Sequence, residues 1–196
     1  MIDFEKIRSS FPILDVKVND NKLVYFDNAA TTQTPTQVTN SIRDYFNKQN
    51  SNIHRGVHHL SNISTEDFEQ SRKKVKEFIG AEKEEEVVFT KGTTDSINLV
   101  ATSFQKFLKS GDEILISEME HHSNIVPWQL CAEKTGAKLK VVSVTKKGEI
   151  DIDHLEKLLN EKTKILSITR ISNTLGTINP ITEITKLARK FDTKVF

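Results

Sequence analysis

From Glu86 onward, short runs of β-branched and aliphatic residues alternate with stretches whose apolar residues recur at helical spacing. The spacing predicts strands over Glu86–Thr90, Glu113–Ser117, Lys138–Val144, Lys164–Thr169 and Lys194–Phe196. Helices are expected between them: one reaching Lys109, one ending at Gly136, one near Ile152–Asn160 and one over Pro180–Phe191. Strands separated by helices pair in parallel through crossovers, so the pattern restricts the chain to an α/β fold, a mainly parallel sheet with helices on both faces.

The first third is less regular. Asp3 is placed to cap a short helix carrying Phe4, Ile7 and Phe11, which Pro12 ends. Leu23–Phe26 reads as a strand running into the small-residue loop Asp27–Thr32, after which Pro35 opens a helix with Val38, Ile42 and Phe46. Asn52–Asn62 looks irregular. Ser64 and Asp67 resemble a capping box for a helix with Phe68, Arg72, Val75 and Phe78, closed by Gly80.

Composition narrows the classes of function. With 28 basic against 27 acidic residues and a net charge of +1, nothing marks the chain for a nucleic acid. No apolar run approaches the roughly 20 residues of a membrane span, and the start has no basic and apolar leader pattern, so a cytoplasmic protein is expected. The one cysteine, Cys131, rules out an intrachain disulfide framework and fits a reducing compartment.

The chemistry concentrates where strands end, since open parallel sheets bind ligands beyond the carboxyl ends of their strands. Val87–Leu99 reads as strand, tight turn and helix, with Gly92, Thr93 and Thr94 at the turn. Unpaired N–H groups, two hydroxyls and the positive end of the helix dipole make such a turn a seat for an anion, most often phosphate. The same run also reads as an N-cap pair with no ligand. Glu118–Asn124 and Ser172–Gly176 follow two further strands and bring an imidazole and a carboxamide to the same edge, a set suited to a planar aromatic ligand bearing a phosphate.

Five segments in register, Tyr25–Thr32 (YFDNAATT), Asn52–Ser61 (NIHRGVHHLS), Phe89–Ala101 (FTKGTTDSINLVA), Met119–Trp128 (MEHHSNIVPW) and Ser172–Pro180 (SNTLGTINP), resemble the group II cysteine desulfurases and selenocysteine lyases. These belong to the class V aminotransferase superfamily of fold-type I, pyridoxal-phosphate-dependent enzymes. The resemblance implies that residues 1–20 belong to the small domain of such proteins and 21–196 to an incomplete large domain. It implies that Gly92, Thr93 and Thr94 hold the phosphate of pyridoxal 5'-phosphate, that His121 stacks on its ring and helps move protons, and that Asn173 meets its phenolic oxygen. His54, Arg55, Ala29 and Ala30 would lie on the substrate side, Arg55 binding a carboxylate or forming a structural salt bridge. Arg170 stands where the family commonly has histidine.

The implied reaction removes sulfur from L-cysteine, or L-selenocysteine its selenium, leaving alanine and an enzyme persulfide for a sulfur-acceptor protein and iron–sulfur cluster assembly, in a homodimer. The lysine that carries the cofactor, the aspartate at its pyridinium nitrogen and the persulfide cysteine are expected beyond Phe196, so these 196 residues alone are expected not to turn over. A non-catalytic half-protein pairing with a full-length desulfurase, or another class V reaction, is the alternative. Two features are decoys. His54 and His58 have i, i+4 spacing but Gly56 between them and no helical pattern, which speaks against a metal; Cys131 sits in the apolar set Ile125, Trp128, Cys131, Ala132 and reads as a core thiol.

Overall fold

The computed structural model describes residues 2–196, which form two compact units divided between Phe89 and Thr90. The first is mostly helical. Helix α1 (Phe4–Arg8) starts at Asp3, whose carboxylate accepts the Lys6 N–H at 3.0 Å, as expected of a cap. A 3-10 turn over Pro12–Asp15 leads to a hairpin of β1 (Lys17–Val18) and β2 (Asn21–Lys22). Its two turn residues, Asn19 and Asp20, both have positive φ (50° and 62°), the conformation that a two-residue hairpin loop demands. Helices α2 (Thr36–Lys48) and α3 (His59–Ile79) complete the unit, with Pro35 before the first and Gly80, at φ 71°, closing the second.

Three expectations for this region are corrected. Helix α3 begins at His59, so Asn52–Asn62 is not irregular throughout. Ser64 does not cap it: the side chain is buried within the helix and donates to the Gln49 carbonyl at 2.9 Å. The cap is His58, whose Nδ1 accepts the Ser61 N–H at 3.4 Å. Leu23–Phe26 and Val87–Thr90 join no ladder among the described residues, and Glu84–Glu86 form a 3-10 turn. β-propensity becomes a strand only where a neighbour offers backbone partners and a face to pack on; Phe26 is 93% and Val88 63% exposed.

The second unit is the α/β body. Helix α4 (Thr93–Phe104) is followed by strand β3 (Glu113–Ser117), helix α5 (Val126–Thr135), strand β4 (Lys138–Val142), helix α6 (Ile152–Leu158), strand β5 (Thr163–Ser167), helix α7 (Ile181–Arg189) and strand β6 (Lys194–Val195). The strands are all parallel in the order β4-β3-β5-β6, with Glu113 opposite Lys138 and Ile116 opposite Ser167. Alternate side chains face opposite layers. Leu115, Val142 and Leu166 pack with Leu155, Ile184 and Ala188 of α6 and α7, whereas Ile114, Ile116 and Ile165 pack with Ile97 and Ala101 of α4 and Trp128, Cys131 and Ala132 of α5. Helices therefore cover both faces, as expected, and each fully buried Leu or Ile contributes roughly 1.5–3 kcal/mol.

Candidate functional site

The strand order itself selects a place for a ligand. From β3 the chain crosses to β4 on one side, and from β5 it crosses to β6 on the other. The connections thus diverge between β3 and β5, leaving a crevice beyond their carboxyl ends. A cavity of about 280 Å³ lies there, close to the lower end of the roughly 300–1,000 Å³ usual for small-molecule sites. Its wall comprises Thr93, Ser96 and Ile97 from the start of α4, Glu120, His121, Ser123 and Asn124 from the segment after β3, Ile168 and Thr169 after β5, and Phe196.

Helix α4 presents its positive end to this space. Gly92, at φ 155° and ψ 178°, turns the chain into the helix, a backbone region that glycine enters most readily, and a Cβ there would meet nothing within 4 Å. No side chain caps the helix. The Ser96 N–H closes the first turn on the Gly92 carbonyl at 3.0 Å, while among the described residues the N–H groups of Thr93, Thr94 and Asp95 have no acceptor. Asp95 instead reaches back, accepting the Lys91 N–H at 3.2 Å, and Thr90 and Ser96 share a hydroxyl contact of 2.7 Å that ties the turn to the helix. Three free donors, exposed threonine hydroxyls and the helix dipole fit a phosphate group, and the chemistry of this donor set matches that of a phosphorylated cofactor.

His121 forms another part of the wall. Its Nδ1 accepts the Ser123 backbone N–H at 3.1 Å and lies 2.8 Å from the Ser123 hydroxyl. An Nδ1 that accepts a backbone N–H carries no proton, so the ring proton is assigned to Nε2. His122 meets His121 edge to face at 6.2 Å between ring centres and does not line the cavity.

Glu120 and Asn124 of the same wall belong to a buried polar cluster that was not read from the sequence. Glu120 accepts from the Ser117 hydroxyl, from the Thr169 N–H at 2.9 Å and from the Asn124 amide at 2.8 Å. Asn124 in turn accepts from the Trp128 indole N–H at 2.9 Å and from the Ser167 hydroxyl at 2.6 Å. Glu120, Asn124 and Trp128 recur at intervals of four, but Glu120 precedes the 3-10 turn and α5 begins only at Val126, so helical spacing alone does not bring the three together.

Thr94 and Gly92 adjoin Thr93 at the start of α4, whereas Asn173 sits in an exposed turn outside the lining. Arg170 lines a different cavity of about 550 Å³ with Asn179, Pro180 and Lys186. In the first unit, His54 adopts a left-handed backbone (φ 60°), with Nε2 3.0 Å from Glu69 and its N–H on Thr65. Arg55 is exposed and forms no salt bridge among the described residues. Ala29 and Ala30 lie in an exposed turn, where the Ala30 N–H bonds the Asp27 carbonyl at 3.2 Å.

Cys131 is fully buried in the core, where burial pushes its thiol pKa up, as befits a packing residue rather than a nucleophile. Ser143, His154 and Asp151 form a trio that is not a relay. His154 Nδ1 already accepts the Ser143 N–H, and Asp151 caps α6 instead of orienting the imidazole.

The family model described as Aminotransferase class-V matches residues 24–196. A cysteine desulfurase of Synechococcus elongatus is 50% identical over 194 residues, 98% of this chain and 31% of its own length. A probable cysteine desulfurase of Halalkalibacterium halodurans is 50% identical over 186 residues, 94% of this chain and 46% of its own. Among solved structures, the apo cysteine desulfurase from Thermococcus onnurineus NA1 superposes with a TM-score of 0.90 at 39% identity, over 100% of this chain and 47% of the other. The cysteine desulfurase CsdA of Escherichia coli gives 0.85 at 30% identity, over 100% and 48%. The chain thus spans between about a third and a half of the length of these relatives.

Proposed function

We infer that this chain, which belongs to the class V aminotransferase family, supplies the phosphate seat and the ring-facing imidazole of a pyridoxal-phosphate site in a cysteine desulfurase. The observation that carries this reading is one cavity at the divergence of β3 and β5, lined by both Thr93 and His121. The relatives are named as cysteine desulfurases, and on this reading, with the resemblance of the five segments, sulfur leaves L-cysteine, or selenium L-selenocysteine, and alanine remains.

Pyridoxal phosphate, when bound, supplies an electron sink for the substrate's bond-breaking. The chain's own residues do the rest of the holding. The N–H groups of Thr93 and Thr94, with their hydroxyls, bind the phosphate at the end of α4, where no side-chain cap competes. His121 offers its flat face to the ring, and since Nδ1 is occupied by Ser123 the proton it can exchange is the one on Nε2. Asn173 is assigned to the phenolic oxygen on the resemblance of Ser172–Pro180 alone, and the same holds for His54, Arg55, Ala29 and Ala30 on the substrate side. Passage of the sulfur to an acceptor protein, homodimer formation, a part in iron–sulfur cluster assembly and a cytoplasmic location belong to this reading as well.

The test is a balanced assay on the protein at its cellular length, with pyridoxal phosphate, L-cysteine and a thiol reductant. Equimolar alanine and sulfide are expected; cysteine consumed without alanine would overturn the assignment. Residues 1–196 alone are expected to release neither product.

A further inference from the structure

Glu120 directly precedes the imidazole that faces the cavity, yet its carboxylate spends its acceptor capacity inside the protein. Oε1 takes the Ser117 hydroxyl and the Thr169 N–H, and Oε2 takes the Asn124 amide. Asn124 completes the chain of bonds with Trp128 and Ser167 on its oxygen. Both residues are 8% exposed, and Trp128 and Ser167 are at 0%. The cluster joins the end of β3, the 3-10 turn His122–Asn124, α5, the last residue of β5 and the loop after it, so the segment carrying His121 is fastened at both ends to the two strands that frame the crevice.

We propose that Glu120 and Asn124 are positioning residues that hold His121 against the cofactor ring, a reading that rests on the function proposed above. The pairing of acid with amide is specific. The indole N–H can only donate, so Asn124 must turn its oxygen to Trp128 and its NH₂ to Glu120. Position 120 must then accept from three donors at once, which a carboxylate does and an amide does not. Glutamine there meets the Thr169 N–H or the Asn124 NH₂ with its own NH₂, and turning Asn124 over moves the conflict to Trp128. A donor facing a donor is relieved only by displacing the segment, and His121 moves with it.

The test uses E120Q, H121A and the double variant of the protein at its cellular length, titrated with pyridoxal phosphate. Affinity and visible circular dichroism per bound cofactor are read. For E120Q, binding is expected to weaken roughly tenfold, about as much as for H121A, since the same ring contact is lost. Its dichroism per bound cofactor is expected to fall to that of H121A. In the H121A background the same change is expected to cost less than about twofold, because the two act through one contact. Unchanged dichroism in E120Q, or a full tenfold loss on top of H121A, would overturn the proposal while leaving the cofactor reading intact. Should E120Q not fold, S167A, which removes one donor to Asn124, decides by the same two readouts: a smaller loss in the same direction, vanishing in the H121A background, is expected, and wild-type behaviour overturns it. A wild-type protein with no visible band would overturn the cofactor reading and this proposal together.

Discussion

Thr93 and His121 draw their importance from what surrounds them rather than from their side-chain types. Thr93 is exposed and its N–H has no acceptor among the described residues, so Thr93→Ala removes a hydroxyl from the proposed phosphate seat without disturbing the core. A loss of about 1 kcal/mol in pyridoxal-phosphate binding is expected, about fivefold in Kd, with little change in melting temperature; equal affinity in a cofactor titration would remove Thr93 from the seat. Gly92→Ala acts on the backbone instead: at φ 155° an added Cβ strains the turn, and a stability loss of about 1–2 kcal/mol by urea unfolding is expected although the space around it is empty. Both residues were legible as a motif in the sequence. Asn124 was not, because a buried asparagine is recognisable only when the donor it serves, here the indole of Trp128, is known to lie four residues on and to turn inward.

At the level of elements, the strands with a neighbour on each side, β3 and β5, were readable from their apolar runs. Leu23–Phe26 and Val87–Thr90 have equally strand-like composition, but pairing is a property of two segments and neither finds one among the described residues. The sheet edge also holds a polar tie that periodicity does not reveal. Glu113 is buried, which alone raises its pKa, but hydrogen bonds from Lys140 and Asn160 and the charges of Lys140 and Lys162 outweigh this and hold the carboxyl below the usual range. A lowered native pKa stabilises the fold at pH above the unfolded value of about 4.3 and loses that contribution as pH falls through the native one. Lys140→Met is therefore expected to cost about 1–2 kcal/mol at pH 7 and much less at pH 3. Urea midpoints that fall in parallel for the two proteins across this range would contradict the assignment.

For the molecule as a whole, the α/β class and the order of elements in the second unit were legible in the sequence pattern, and composition carried little functional information. The division between Phe89 and Thr90 was not legible, since no linker-like stretch marks it. The second unit carries the only tryptophan, Trp128, fully buried beside the strand layer, so its fluorescence reports that unit's unfolding. Ile184→Ala, which empties a fully buried position between α7 and the sheet, is expected to lower that transition by about 2–4 kcal/mol; a shift below 1 kcal/mol would mean the layer is not packed as described. A crystal structure of the protein loaded with pyridoxal phosphate tests whether Thr93 and His121 serve one site. The expected result places the phosphate within about 3 Å of the Thr93 and Thr94 N–H groups and the ring face to face with His121; a phosphate bound away from the start of α4, or a ring that does not touch His121, would contradict it.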